Sequence, residues 1–321
     1  MKLKKIVLTG AAGRLGGYLR APLAAKCAEL VSTDIAPLTE PLVEGERFIQ
    51  ADLADYANMS EIIDGADMVV HFGGHPDEKP FDDILHANIV GCYNIWQAAH
   101  KAGVRRIVYA SSIHAVGLHP KTLAINAETP HRPDSFYGLA KCFAEDMAKL
   151  YWDKKGLEAV CLRILSCAQV TNARALGSWL SYEDLIHLVE RSIDTPVTGF
   201  TVVYGVSGND RAPVDNSAAT FLGYCPRDNA EIFADEIFAK APAPNPLDPD
   251  QMMHGGPFAT TDLGESGVAK LGLSPDDTSE RNCCRLCHIC TAEPSNRQPH
   301  PIAIKLSAEK TAFAFGKCSA R

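Results

Sequence analysis

Thr9-Gly10-Ala11-Ala12-Gly13-Arg14-Leu15-Gly16 follows the first apolar run of the chain, Ile6-Val7-Leu8. Glycines at 10, 13 and 16 form a variant of the turn that cradles phosphates between a strand and a helix. Such a turn lets backbone approach a pyrophosphate. The helix that follows offers free N–H groups and the positive end of its dipole to the anion. Glycines at a strand–helix turn also serve structure alone, so the motif takes its weight from context. Asp34 closes the second apolar run 18 residues beyond Gly16, near the spacing of about 20 at which an acid takes the ribose diol. Ile35 and Ala36 follow it, with no Arg to accept a 2′-phosphate. The pattern therefore predicts NAD rather than NADP, held by Gly10, Gly13, Arg14, Leu15, Gly16 and Asp34. Asp52 and Leu53, after the third run, are placed for the adenine edge. Phe72, Gly73 and Gly74, after the fourth, are placed beneath the phosphates and ribose.

Working outward, short β-rich runs at 5–8, 30–33, 47–50, 68–72 and 106–109 alternate with helical segments at 13–28 and 84–99. In the latter, Ile84, Leu85, Ile89, Cys92, Ile95, Trp96 and Ala99 recur near helical spacing. A helix over 135–155 precedes a run at 159–165, and a helix over 182–192 precedes one at 201–206. Strand–helix alternation implies right-handed crossovers and a parallel sheet. The predicted fold is α/β, a Rossmann-type doubly wound parallel sheet with a small C-terminal substrate-binding cap. The expected division is a NAD-binding core at 1–165 and a cap at 166–260 interleaved with the last strands. A poorly ordered or atypical extension follows at 261–321. The Pro-rich stretch 241–257 is expected to leave the compact body as an extended segment.

The 321 residues, 46% hydrophobic and 22% charged, suit a globular chain with a core that needs no disulfides. A net charge of −8 argues against a nucleic-acid surface, which needs clustered Lys and Arg. No window approaches 18 uninterrupted apolar residues, so no membrane partner is expected. The basic start is followed by an apolar run far too short for a secretory signal, and the cytoplasm is the expected setting. Cys27, Cys92, Cys142, Cys161, Cys167 and Cys225 read as buried reduced thiols.

The fifth run ends in Ala110-Ser111-Ser112, and Tyr137-Gly138-Leu139-Ala140-Lys141 follows about 25 residues later. Tyr and Lys at i and i+4 share one helix face. An ammonium beside a phenol lowers the phenol's pKa from about 10 towards neutrality, and a positive nicotinamide ring adds to this. Tyr137 can then take a proton from a substrate hydroxyl while hydride leaves the same carbon, with Ser112 hydrogen-bonded to that hydroxyl. Tyr-x-x-x-Lys alone is common. Behind a glycine turn and a strand-end Ser-Ser, in this chain order, it is specific.

Over about residues 4–258 the sequence resembles the extended short-chain dehydrogenase/reductases, and among them the uronate dehydrogenases. The resemblance rests on 9–16, Asp52-Leu53-Ala54-Asp55, Glu78-Lys79-Pro80-Phe81, Asn88-Ile89-Val90-Gly91 and Ala110-Ser111-Ser112 with His114. It extends to Tyr137-Gly138 with Lys141-Cys142-Phe143, Arg163-Ile164 with Ser166-Cys167, Asp215-Asn216-Ser217 and Phe221-Leu222-Gly223. It implies oxidation of galacturonate or glucuronate at C1 to an aldarolactone, a step of carbohydrate metabolism, by a homo-oligomer using NAD. It implies Tyr137 as general base, Lys141 as its partner, and Ser112 as the catalytic Ser that also touches substrate. It places Asn88 as support of Lys141 through water, His114 and Ser166 against the sugar, and Arg174 on the C6 carboxylate. Two positions depart: the family has Ser at Pro76 and Asn at Ile113. Each change removes a polar contact to a sugar hydroxyl, worth on the order of 1–3 kcal/mol if its partner stays buried.

Two other readings use the same residues. One is another NAD-dependent sugar dehydrogenase, or a nucleotide-sugar epimerase or reductase, although 165–256 is short for holding a nucleotide diphosphate. The other is a non-catalytic NAD-sensing regulator, which has no need of Ser112, Tyr137 and Lys141 together. No metal is expected, since His75, His114 and His119 lack helical zinc spacing and hydride transfer needs none. The run Cys283-Cys284-Arg285-Leu286-Cys287-His288-Ile289-Cys290 bunches its thiols too tightly for two separated ligand pairs. With no catalytic motif beyond 261, deletion of 262–321 is expected to leave activity unchanged.

Overall fold

Alternate residues of a buried strand point to opposite faces of its sheet, and β1 (Leu3–Thr9) shows the consequence. Ile6 and Leu8 enter one apolar core, with Leu19, Leu23, Leu185 and Leu188. Val7 enters another, with Met59, Ile95, Trp96 and Ala148. Both faces are covered, which is why the strands read as near-continuous apolar runs. The computed structural model describes residues 2–240, 245 and 247–270.

The strands are β1, β2 (Cys27–Asp34), β3 (Glu46–Gln50), β4 (Met68–His71), β5 (Arg106–Ser112), β6 (Ile125–Asn126), β7 (Glu158–Ile164), β8 (Phe200–Gly205) and β9 (Val214–Asp215). Seven of them form one sheet in the order β3-β2-β1-β4-β5-β7-β8, every pairing parallel. The order reverses between β1 and β4. In doubly wound sheets, ligands bind outside the carboxyl ends of the strands at that reversal. Helices α1 (Arg14–Lys26), α2 (Tyr56–Ile63), α3 (Phe81–Ile84), α4 (Gly91–Lys101), α5 (Phe136–Lys155), α6 (Ala175–Ser178) and α7 (Tyr182–Asp194) fill the crossovers. The α/β class expected from the alternation is therefore the observed one.

Several details differ from expectation. The segment read as one helix over 84–99 is broken by a π-helical stretch at Leu85–Val90, a local widening frequent at functional sites. Cys225 is exposed, whereas the other five described thiols are buried. The described part of 241–257 does not leave the body. Lys121 N–H donates to Met252 O, and His254 and Gly255 N–H donate to His119 and Gly117 O. His254 and Phe258 are buried.

The chain beyond 260 also packs as far as Lys270. Two buried acids, Asp77 and Glu78, receive it. Gly264 N–H donates to Glu78 Oε1 at 2.9 Å and Val268 N–H to Asp77 Oδ1 at 3.2 Å. The Ser266 hydroxyl donates to Asp77 Oδ2. Gly267 lies so close to the Phe258 ring that a Cβ there would stand 2.3 Å from it. The cysteine run 283–290 lies outside the described residues.

Deletion of 262–321 should therefore cost stability, because it strips donors from two buried carboxylates. An unsatisfied buried acceptor costs about 1–3 kcal/mol. A chain ending at Lys270 should keep the full-length melting temperature and turnover. One ending at Thr261 should lose both. Equal melting curves and rates for the two truncations would contradict this account.

Candidate active site

The glycine turn is built by crowding. Gly10 has φ +75°, and a Cβ there would stand 2.5 Å from the Phe72 carbonyl carbon. A Cβ on Gly16 would stand 2.0 Å from Gly10 O. Side chains are excluded where a pyrophosphate needs backbone, so the turn fits a dinucleotide. Leu15 is half-buried behind it, and the exposed Arg14 donates from Nη2 to Cys167 O at 3.2 Å. Asp34 ends β2 and accepts from Ala12 and Ala36 N–H, each at 3.0 Å. Asp52 pairs with His86 at 2.9 Å, while Leu53 packs beside Gly73 and Gly91.

Thr9 and His71 set the loop after β4. Thr9 Oγ1 accepts from Gly73 N–H at 3.1 Å and lies 2.7 Å from His71 Nδ1. Burial, aided by the Lys141 charge, pushes His71 down to about 3, so it stays neutral beside the Thr9 hydroxyl. Asn88, inside the π-helical stretch, takes His75 N–H on Oδ1 at 2.9 Å and donates Nδ2 to His75 O at 3.0 Å. Its side chain thus fastens the loop of Gly74 and His75. Lys141 donates to Ala110 O at 2.7 Å.

Helix α5 presents Tyr137 and Lys141 to the end of β5. The first three amides of a helix have no partner within it, and here all three are met. Glu78 accepts Phe136 N–H on Oε1 at 3.0 Å and Tyr137 N–H on Oε2 at 2.7 Å, while Ser135 Oγ accepts Gly138 N–H at 3.0 Å. Ser112 stands close enough to the Tyr137 hydroxyl to oppose the rise of its pKa. Lys141 Nζ stands 5.1 Å from the Tyr137 ring centroid and 4.8 Å from that of Tyr109.

The expected depression of Tyr137 does not come from the chain alone. Burial pushes Tyr137 up to about 12, against the opposing effect of Ser112. Burial likewise pushes Lys141 down to about 8. Both groups are desolvated, the amine is turned to a carbonyl, and Asp134 and Asp77 add negative charge against the phenolate.

His114 stacks on Phe258 at 3.9 Å, edges onto Tyr137 at 5.7 Å and contacts Asp134 at 2.8 Å. Arg174 lies against the same C-terminal segment. Its Nη2 donates to His254 O at 3.1 Å, and a Cβ on Gly256 would stand 2.6 Å from its Nε. That buried Nε has no partner among the described residues. Ser166, just beyond β7, donates its N–H to Ser178 O. Pro76 is exposed in the Gly74–Asp77 loop. Ile113 does not line this cleft with its side chain. It is 1% exposed and packs with Val116, Ile125, Tyr204 and Val206.

Asp77, Asp134 and Phe258 carry no role in the sequence reading, and Glu78 enters it only within the Glu78–Phe81 stretch of the resemblance. An acid pair before Lys-Pro, and an Asp-Ser just ahead of the helix, were the available signals. Among the described residues no three His, Cys, Asp or Glu side chains are grouped to hold a metal, and no helix is long and apolar enough to cross a membrane.

The "NAD dependent epimerase/dehydratase family" matches residues 6–168. The chain belongs to that family. Within it, uronate dehydrogenase of Pseudomonas putida is 44% identical over 256 residues, covering 79% of this chain and 95% of that protein. The crystal structure of uronate dehydrogenase from Agrobacterium tumefaciens aligns with TM-score 0.78 at 42% identity, covering 82% of this chain and 98% of the other. A Tyr-to-Ala mutant of that enzyme, complexed with NAD, aligns with TM-score 0.77 at 42% identity, covering 81% and 98%. The fold, the NAD-dependent oxidoreductase class and the uronate dehydrogenase relationship are thus established together.

Replacing Gly16 with Ala forces a methyl into the Gly10 carbonyl, and backbone there cannot yield. NAD affinity measured by calorimetry should fall on the order of tenfold or more. An unchanged dissociation constant would rule out this turn as the phosphate cradle.

Proposed function

We propose that this enzyme oxidises a uronic acid, D-galacturonate or D-glucuronate, at C1 to the aldarolactone with NAD. The observation that carries the acidic substrate is Arg174: a desolvated guanidinium with an orphaned Nε beside the Phe258–His114–Tyr137 cluster. A planar guanidinium meets a carboxylate with two parallel hydrogen bonds, and a neutral hydroxymethyl group leaves it unpaired.

The cofactor would lie along Gly10–Gly16, with Asp34 toward its ribose and Gly73 and Gly74 beneath it. When bound, oxidised NAD supplies the hydride acceptor and a positive ring that favours a nearby phenolate. The chain's own part is positioning and proton transfer. Ser112 orients the C1 hydroxyl, and Tyr137 receives its proton as the carbon loses hydride. Lys141, held by Ala110 O, keeps a cation beneath the phenol. Asn88 contributes by fixing the loop before Pro76. Ser166 and His114 face the sugar hydroxyls. Ile113 acts through packing.

The setting we propose is a cytoplasmic homo-oligomer. Five buried free thiols fit a reducing compartment. Leu139, Phe143 and Leu150 form an exposed stripe along α5 that supports self-association.

Tyr137→Phe should cut turnover by about 10²–10⁴-fold with NAD affinity retained. Near wild-type turnover would remove Tyr137 from the role of base. Arg174→Ala should raise the Michaelis constant for galacturonate far more than that for galactose, collapsing the preference for the acid. A wild-type enzyme that oxidised galactose as efficiently as galacturonate would replace this reading with a neutral-sugar dehydrogenase.

A further inference from the structure

Three glycines from separate segments press on one buried pair. A Cβ on Gly117, in the loop after β5, would stand 1.8 Å from Asp134 Oδ2. One on Gly255, in the C-terminal segment, would stand at the same distance from the same oxygen. A Cβ on Gly138, in the first turn of α5, would stand 2.4 Å from His114 O and 3.2 Å from Asp134 Oδ1. None of the three has a positive φ. Their smallness therefore makes room rather than permitting a turn. What occupies the room is the Asp134 carboxylate, its side chain fully buried, 2.8 Å from His114 Nδ1.

The two carboxylate oxygens have distinct tasks. Ser135 Oγ accepts Gly138 N–H, so its own proton goes to Asp134 Oδ1 at 2.8 Å. Oδ2 is left to face His114, and an ionised carboxylate only accepts hydrogen bonds. A neutral imidazole has one N–H, so that proton sits on Nδ1 and the lone pair sits on Nε2. Phe258, stacked at 3.9 Å and 29°, fixes the plane of the ring.

We propose that Asp134 is a positioning residue that locks His114 in the Nδ1–H form, presenting Nε2 as a hydrogen-bond acceptor to one hydroxyl of the sugar. This rests on the uronate reading for the identity of the sugar. It adds the polarity of the contact and the residue that sets it. Asp134 also supplies negative charge that acts on Arg174. One carboxylate thus balances the carboxylate-binding cation and polarises the hydroxyl-binding imidazole.

The test is Asp134→Asn, which preserves the shape packed between the glycines. Ser135 still donates to the amide oxygen, so the amide NH₂ faces His114 Nδ1 and drives the ring proton to Nε2. Long-range ¹H–¹⁵N spectra of ¹⁵N-histidine-labelled enzyme, with His114→Gln to assign the signal, should show Nδ1–H in the wild type and Nε2–H in the variant. The Michaelis constant for galacturonate should rise by about 10- to 100-fold, with NAD affinity changed little. A purely structural role would lower kcat, cofactor affinity and stability together and leave the tautomer unmoved. Nε2–H in the wild type would overturn the proposal, as would a reversed tautomer with an unchanged Michaelis constant. If Asp134→Asn fails to fold, the wild-type tautomer decides the matter. If the wild type oxidises no uronate, the substrate reading falls while the tautomer still tests the pair.

Discussion

A carboxylate from outside the catalytic helix holds its first turn. Glu78 accepts the Phe136 and Tyr137 amides, and the same side chain takes Gly264 N–H from the far end of the chain. This places negative charge where the helix dipole is positive and leaves no freedom for the turn that carries the base. Everything else in the cleft is measured from that turn. Tyr137 reaches Ser112 because the helix starts where Glu78 fixes it. Lys141 reaches Ala110 O one turn later. Phe258 covers His114 because Asp77 and Glu78 hold the segment behind it. A second buried carboxylate, Glu145, ties the middle of α5 to Ser111 of β5 at 2.5 Å and to Arg163 of β7 at 2.8 Å. The helix is thus pinned to the sheet at two heights, one on each side of Lys141.

This rigidity has an electrostatic consequence. A site dry enough to discriminate hydroxyls penalises every charge in it. Burial raises Tyr137 and lowers Lys141, so at neutral pH the resting site holds a neutral phenol beside an ammonium with little margin to spare. A helix-face argument from Tyr and Lys at i and i+4 counts the attraction between the charges but not the water they lose. The base therefore depends on positive charge arriving from outside the chain, and its readiness is tied to occupancy by the oxidised cofactor.

Local chemistry made the first half of the protein legible. Gly10 is needed by its positive φ and Gly13 and Gly16 by their closeness to the Gly10 carbonyl, and Asp34 ends the next strand, so both show in sequence. The parallel sheet showed through strands apolar on both faces. The rest depends on contacts distant in sequence. Nothing near Asp77 or Glu78 shows that they receive residues 264–268, almost 190 positions away. Against the family's Asn, Ile113 reads as a lost polar contact, but it opens the 3-10 turn just after β5 and its side chain packs into the Val116–Tyr204 cluster. The π-helical stretch carries no propensity signal of its own. Within it Asn88 reaches back to both backbone polar groups of His75.

Selectivity in such a site is a difference between substrates rather than a sum of contacts. Arg174 penalises any sugar that cannot satisfy a buried cation, and His114, with its proton directed to Asp134, penalises any that offers an acceptor where a donor is required. The two penalties are set by one residue lying between the strand-end loop, the start of the catalytic helix and the returning C-terminal segment. Three glycines on those elements leave it room. Changing the substrate by altering Arg174 alone would leave Asp134 its Ser135 and His114 hydrogen bonds but remove the balancing cation, a buried excess of negative charge beside Tyr137. That charge raises the base further. Specificity and proton transfer are therefore coupled through Asp134, and a neutral-sugar variant needs the Asp134–His114 pair changed together with the arginine.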